Sequence, residues 1–364
     1  MNDVEIAIAE DARRDDIQYT QFLWLSRFNS MSTHDPTSPL AVGLIGTGFV
    51  ATLRAEALQR DRRAQLKAVV GYDPQQSREF ARRYDADCLD TWHALIDRDD
   101  IDVVFLSSIN RDRGTLARAA LDRGKHVVAE YPLSLDPTEA ETLLERSRQT
   151  GKLLHVEHIE LLGGLHQAFV EHLPRVEPVS YVRYATIKAK RPASPHWTYH
   201  RELFGFPLVG ALSRLHRLIS CFGRVSSVSG RARFWDGDEP GYYTACLCNA
   251  RLEFTSGVFA DVLYAKGDRF SHTTRVWEAC GEGGTLVLEN GRGQLTCGDE
   301  IAPIEIASQR GAFARDTQMV LDRLIDNKPL YVAPEDSIYT LKIADAVRRA
   351  AETGGAIALD SSGR

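Results

Sequence analysis

Short apolar runs separated by amphipathic stretches organise the chain from Leu40 onward. Leu40-Ala41-Val42-Gly43-Leu44-Ile45 is followed by runs at 66–70, 103–107, 126–129 and 153–157, all rich in strand formers. Helical stretches fall between them, at 49–58, from 74, at 113–123 and at 137–149. Asp73-Pro74-Gln75-Gln76 reads as a helix start, with Asp73 as the cap, Pro74 at the first helical position and Gln76 completing a capping box. Gly124 and Gly151 stand where two of the helices should stop. Continuous apolar strands alternating with helices of this length predict a parallel, doubly wound sheet covered on both faces. Such a sheet binds ligands at the carboxyl ends of its strands.

The period changes after residue 178. Residues 179–190, 225–235, 243–254, 257–265 and 273–280 alternate apolar and polar positions. Gly283-Gly284 and Asn290-Gly291 mark turns. The pattern predicts an open, mainly antiparallel sheet of about five or six strands. Two amphipathic helices follow, near 314–326 and 335–352, and the last is expected to pack back on the first sheet. The expected organisation is an N-terminal extension (1–38), a Rossmann domain (39–160) and a substrate domain (161–364) with helices on one face of its sheet.

Composition narrows the class. The chain has 364 residues, 43% hydrophobic and 26% charged, which is ordinary globular usage and enough for two cores. A net charge of −6 gives nucleic-acid binding no electrostatic support. No apolar run approaches the ~18–20 residues that cross a bilayer. Residues 1–35 lack the charged-then-apolar order of a secretory leader, although Phe22-Leu23-Trp24-Leu25 is a short apolar patch. A cytoplasmic protein without membrane or nucleic-acid partners is expected, as a monomer or homodimer. Among the six cysteines there is no C-x-x-C pair, so no metal site is expected. Cys246 and Cys248, two apart, would share one face of a strand as reduced thiols.

Gly46-x-Gly48-x-x-Ala51 fits the dinucleotide fingerprint and lies between a predicted strand and a predicted helix, where the motif carries meaning. Gly46 would permit the tight turn. Gly48, with Phe49 and Val50 opening the helix, would let the pyrophosphate reach free N–H groups at the helix N-terminus. NAD sites usually carry an acid about 20 residues further on. Here that place is Gly71, and Asp73 is used as a helix cap. A missing carboxylate removes repulsion of a 2′-phosphate, so NADPH is the expected cofactor. Arg78, beside Tyr72, would reach that phosphate, with Arg54 as a weaker candidate. Ser107 and Ser108, and Glu130 and Tyr131, close two of the strands at the same edge.

Gly124-Lys125-His126-Val127-Val128-Ala129-Glu130-x-Pro132, followed by an antiparallel sheet, resembles the glucose–fructose oxidoreductase and inositol dehydrogenase superfamily over about residues 40–359. That resemblance implies Glu-Lys-Pro, with the lysine beside the nicotinamide, and an Asp…His…Asp helix. This chain has Tyr131 for the lysine, and its 210–220 stretch keeps only His216. Oxidising a sugar alcohol needs a base, and a tyrosine with pKa near 10 is a poor one. A sugar or polyol dehydrogenase therefore depends on His216. A non-catalytic NADP-sensing regulator is a further alternative.

Four stretches are instead similar to the biliverdin reductases. They are Glu130-Tyr131-Pro132-Leu133, His155-Val156-Glu157-His158-Ile159-Glu160-Leu161-Leu162, Phe204-Gly205-Phe206-Pro207, and Ser213-Arg214-Leu215 with Phe222-Gly223. This resemblance implies NADPH-dependent hydride transfer to the C10 methine of biliverdin, a linear tetrapyrrole, giving bilirubin. Arg214, Tyr131, Glu130, Glu157 and His158 are then the catalytic candidates. Arg183, Lys188, His216, Arg217, Arg231 and Arg233 are the candidates for the substrate and its propionates. Trp197, Tyr199, Phe204 and Phe206 lie in a segment expected to cover it.

Overall fold

The computed structural model describes residues 38–193, 195–308 and 310–359. The expectations for residues 1–37, including the Phe22–Leu25 patch, lie outside the described residues.

The first half builds strands β1 (Leu40–Ile45), β2 (Ala64–Val70), β3 (Asp87–Cys88), β4 (Val103–Leu106), β5 (His126–Ala129) and β6 (Leu154–Val156). Helices α1 (Phe49–Gln59), α2 (Pro74–Tyr84), α3 (Trp92–Ile96), α4 (Asn110–Asp122) and α5 (Pro137–Thr150) connect them. All strand pairs are parallel, in the order β3-β2-β1-β4-β5-β6. The order reverses between β1 and β4, which opens a crevice at their carboxyl ends. Asp73 caps α2 by accepting from the Gln76 N–H at 2.7 Å. The other half of the expected capping box is not made: the Gln76 side chain accepts instead from the Thr47 hydroxyl in the glycine loop, at 3.0 Å.

The second half opens with α6 (Gly164–His172) and β7 (Val179–Ala189), followed by three helices: α7 (Arg201–Phe204), α8 (Pro207–Gly210) and α9 (Ser213–Phe222). Strands β8 (Val225–Asp236), β9 (Tyr243–Phe254), β10 (Phe259–Gly267), β11 (Thr274–Gly281), β12 (Gly284–Glu289), β13 (Arg292–Cys297) and β14 (Glu300–Ile304) come next. Helices α10 (Ala312–Asp326) and α11 (Pro334–Thr353) and the short β15 (Ile357–Ala358) end the described chain. The sheet has nine strands, in the order β14-β13-β12-β11-β7-β10-β9-β8-β15, rather than about five or six. The glycine turns were read correctly, but β12, β13 and β14 are only five or six residues long, too short to register as alternation. Asn290 and Gly291 both adopt positive φ in the two-residue turn between β12 and β13, as that hairpin type demands. Pairing is antiparallel except between β7 and β10, which lie side by side in parallel register.

One face of this sheet is covered. Val182, Tyr184 and Thr186 of β7 and Val262 and Tyr264 of β10 are buried there, while Arg183 points the other way and is exposed. α11 packs against β8, α9 and α5, and α10 against α1. Arg148–Glu335 at 2.8 Å ties α5 to α11. Helix α11 thus clamps the two sheets together. Cys246 and Cys248 are buried on one face of β9.

Candidate active site

A cavity of about 350 Å³ lies where the carboxyl edge of the parallel sheet meets the covered face of the second sheet. Val50, Ser107, Ser108, Glu130, Tyr131 and Glu157 line it from the first sheet. Tyr184 and Lys188 on β7, Ser213, Arg214 and Arg217 on α9, and Arg275 on β11 form the opposite wall. Trp197 and Phe204 close one side, and Phe313 of α10 another.

The glycine loop fits a dinucleotide. Gly46 has φ +119°, and a Cβ there would lie 2.4 Å from the Ser107 carbonyl oxygen, so the turn requires glycine. A Cβ at Gly48 would meet nothing within 4 Å, so the approach to the loop is open. No side chain caps α1, which leaves its first N–H groups available to a phosphate. At Gly71 a Cβ would come within 2.6 Å of both Thr47 Oγ1 and Ser77 Oγ. The acid absent from the end of β2 is therefore excluded by packing as well as by identity. Tyr72 and Arg78 are exposed beside this position, and Phe49 is exposed at the start of α1.

Arg54 is not available to a cofactor phosphate. It is buried, donates to Glu130 at 3.2 Å, to Thr317 at 3.0 Å and to Asp316, and so joins α1 to β5 and α10. Asp316 also accepts from the Tyr331 hydroxyl and bonds His155 Nε2, both at 2.8 Å. Arg113, unnoticed in the sequence, donates to the carbonyls of Pro132 and Ser108, each at 2.6 Å. It fixes the ends of β4 and β5 to each other on the cavity wall.

Glu130 and Glu157 form a carboxyl pair. Burial raises the Glu157 pKa well above the ordinary glutamate value, and the charges of Glu130 and Glu160 raise it further. The neutral form of Glu157 is thus favoured beside Glu130, and its Oε2 accepts from the Ile159 N–H at 2.7 Å. Burial would also raise Glu160, but its hydrogen bond to His158 and its electrostatic interactions with His158 and Arg217 outweigh this and hold it low.

Tyr131 donates to Ser213 Oγ at 3.2 Å, and the same oxygen accepts from Arg214 at 2.8 Å. Burial, reinforced by Glu160, raises the Tyr131 phenol far above its ordinary pKa, so it stays protonated. His158 lies behind Tyr131 rather than on the cavity wall. It stacks on that ring at 5.1 Å and on His216 at 3.7 Å, and it bonds Ser337 at 2.9 Å.

The cationic wall is only partly compensated, by the nearby Glu160 carboxylate on the same cavity lining. Arg214, Arg217, Arg275 and Lys188 have no ion pair among the described residues. Arg214 Nε and Arg217 Nε and Nη1 are buried without a protein partner. Burial lowers the Arg275 pKa, as does repulsion from Arg214 and Arg217. Lys188 lines the cavity yet is exposed, and its pKa is lowered to about 8 by partial burial and by Arg214 and Arg275.

Four of the substrate candidates lie elsewhere. Arg183 is on the open face of the sheet, paired with Glu278 at 2.8 Å. Positions 183 and 188 are five apart, so one strand cannot direct both to the same face. Arg231 reaches the Gly354 carbonyl at the far edge, and Arg233 stacks over Trp235. His216 points away from the cavity toward α11, where it bonds Thr340 Oγ1 at 2.8 Å. Arg275 was missed, although a signal existed: it stands two residues before the fully buried Trp277 and so faces inward.

The family model "Oxidoreductase family, NAD-binding Rossmann fold" matches residues 40–158, and "Oxidoreductase family, C-terminal alpha/beta domain" matches residues 175–359. The crystal structure of biliverdin reductase from Synechocystis sp. PCC 6803, in complex with biliverdin and NADP+, is 44% identical with a TM-score of 0.85. The match covers 86% of this chain and 99% of that one. Biliverdin reductase A of mouse is 30% identical over 55% of this chain, and that of human 32% over 41%. The chain spans 63% and 47% of those two curated relatives. A levoglucosan dehydrogenase, 16% identical with a TM-score of 0.76 over 89% of this chain and 100% of its own, shares the fold alone. Matched by two models in succession and by a relative aligned over its whole length, the chain belongs to this Rossmann-fold oxidoreductase family, in its biliverdin reductase branch.

Proposed function

We propose that this protein is an NADPH-dependent biliverdin reductase. The observation that carries the reading is the opposition across one cavity. The dinucleotide edge of the parallel sheet faces Lys188, Arg214, Arg217 and Arg275, four cations without ion-pair partners among the described residues. A linear tetrapyrrole with two propionates supplies the charge such a wall lacks, and the 44% identical relative was crystallised with biliverdin and NADP+.

The bound nicotinamide would supply the hydride. Gly46, Gly48, Val50, Ala51, Ser107 and Ser108 would hold the cofactor, with Arg78 and Tyr72 at its ribose phosphate and the Glu130 and Tyr131 backbone near its ring. Arg214 would lie against the pyrrole system and stabilise negative charge there as the reaction proceeds. A guanidinium is too weak an acid to give up its own proton. Tyr131, Glu157 and Lys188 all line the cavity with a proton to give, and Glu157, between the cofactor edge and the cationic wall, is the source we assign for the proton that a ring nitrogen gains. His158 would act by holding Tyr131 and Glu160 in place.

Sugar oxidation gains no support from the geometry. Tyr131 is held protonated and His216 faces α11, so neither can act as the base. The test is direct: mix protein, NADPH and biliverdin, and follow the visible spectrum. The blue-green band should give way to a yellow one. Oxidation of glucose or myo-inositol with no change in the bilin band would refute the proposal.

A further inference from the structure

Lys266 shares the covered face of β10 with Val262 and Tyr264 and is only 4% exposed, yet no carboxylate pairs with it among the described residues. Its ammonium donates to the Thr198 carbonyl. It lies 3.8 Å from the ring centre of Phe204, 4.6 Å from Tyr199 and 5.4 Å from Tyr243. The Tyr243 hydroxyl donates to the same carbonyl, at 3.0 Å. A buried ammonium without a counter-ion is costly, and aromatic faces compensate only in part. Burial and the nearby charges of Lys188 and Arg214, against the opposing influence of Cys246, lower its pKa to about 7.

This cost is concentrated beneath one segment. Residues 196–206 carry Trp197 and Phe204, which form a side of the cavity. The segment is held at Thr198 by Lys266 and Tyr243. It is held at Phe204 by Asn110, whose side chain donates to the Phe204 carbonyl at 2.9 Å. Asn110 begins α4 and also lines the cavity. The segment therefore spans from the second sheet to the dinucleotide edge, and Lys266 anchors the end far from the cofactor.

We propose that Lys266 is a positioning residue: its ammonium straps the 196–206 segment over the cavity and thereby sets the affinity for the tetrapyrrole, without touching the reacting atoms. The kinetic half of this inference rests on the biliverdin reductase reading, and the strap itself does not. Limited proteolysis with chymotrypsin reads the strap without substrate, because the segment contains Trp197, Tyr199 and Phe204, none of them followed by proline. In Lys266→Met, cleavage there should be about tenfold faster than in the wild type, and KM for biliverdin about tenfold higher with kcat within about twofold. Lys266→Arg keeps the charge and should restore both to within about threefold of wild type. Tyr243→Phe removes only the second donor and should shift both in the same direction by less. Unchanged cleavage in Lys266→Met, or a fall in kcat at constant KM, overturns the proposal. If thermal melting shows that Lys266→Met does not fold, Tyr243→Phe decides, and an unchanged cleavage rate there overturns it. A wild type that binds no biliverdin sinks the functional reading and leaves the proteolysis result standing on its own.

Discussion

Arg214 concentrates the chemistry at the level of single residues. Its Nη1 is engaged by Ser213, its Nε is unpartnered, and its guanidinium stacks 5.1 Å from the ring centre of Tyr264, an aromatic shelf that fixes its direction. Arg214→Ala should lower kcat to less than about a third of wild type, since an oriented cation in a dry site stabilises charge that water would stabilise poorly. A variant retaining more than that in steady-state assays would remove Arg214 from the mechanism. Glu157→Gln keeps the shape and the neutral charge state but has no acidic proton to give. Its kcat should fall roughly tenfold or more at pH 7, the lower end of what general acid catalysis contributes. The measurement is a pH–rate profile of both proteins, and superimposable profiles would exclude Glu157 as the donor. Tyr131, Glu130, Glu157 and Arg214 could all be picked out of the sequence, because each replaces or flanks a motif residue. Their protonation states could not be, because these depend on burial and on neighbours brought in from other elements.

Two junctions between elements deserve separate tests. At the end of β2, the tight contact of Gly71 with Thr47 and Ser77 leaves no room for the carboxylate that would favour NADH. NADPH should therefore be preferred by at least about tenfold in kcat/KM, and Arg78→Ala should reduce the NADPH value while leaving NADH nearly unchanged. A tenfold preference for NADH would refute the assignment. At the junction of α1, β5 and α10, Arg54 is the shared counter-ion of Glu130 and Asp316. Arg54→Met would leave two buried carboxylates without their cation, at a cost of about 3–5 kcal/mol. Chemical denaturation should show the loss, with the α10 contact to α1 weakened first. The strand-helix alternation, the Asp73 cap and the glycine C-caps were legible locally, because each depends on residues a few positions apart. Arg54 was misread as a candidate for the cofactor's 2′-phosphate, because its two carboxylate partners lie 76 and 262 residues away.

For the molecule as a whole, acid should be the destabilising direction. His166 is 9% exposed, and its pKa is lowered from 6.5 to about 4 by burial and by the charge of Arg217. A histidine kept neutral in the folded state gives its full contribution above its unfolded pKa. That contribution is lost as pH falls from about 6.5 toward 4, and amounts to about 3 kcal/mol at the lower end. His216, lowered well below the ordinary value by burial and by His158, adds to the same trend. Tm should therefore drop between pH 6.5 and 4, and His166→Met should flatten the drop. An equally steep decline in that variant would assign the acid lability to other groups.

The sequence by itself determined what short-range order can determine. It specified a parallel doubly wound sheet before a mainly antiparallel one, a glycine loop shaped for a dinucleotide, and a Tyr131 and Arg214 pairing that sets this chain apart from sugar-oxidising relatives. Periodicity and motif spacing encode those features within windows of a few residues to a few tens. The tertiary structure decided which cations face the cavity. It admitted Lys188, Arg217 and the unforeseen Arg275, and it sent Arg183, Arg231, Arg233 and His216 elsewhere. A strand's parity says which residues share a face. Only the packing of α9 and α11 on one side of the second sheet says which face is the inside.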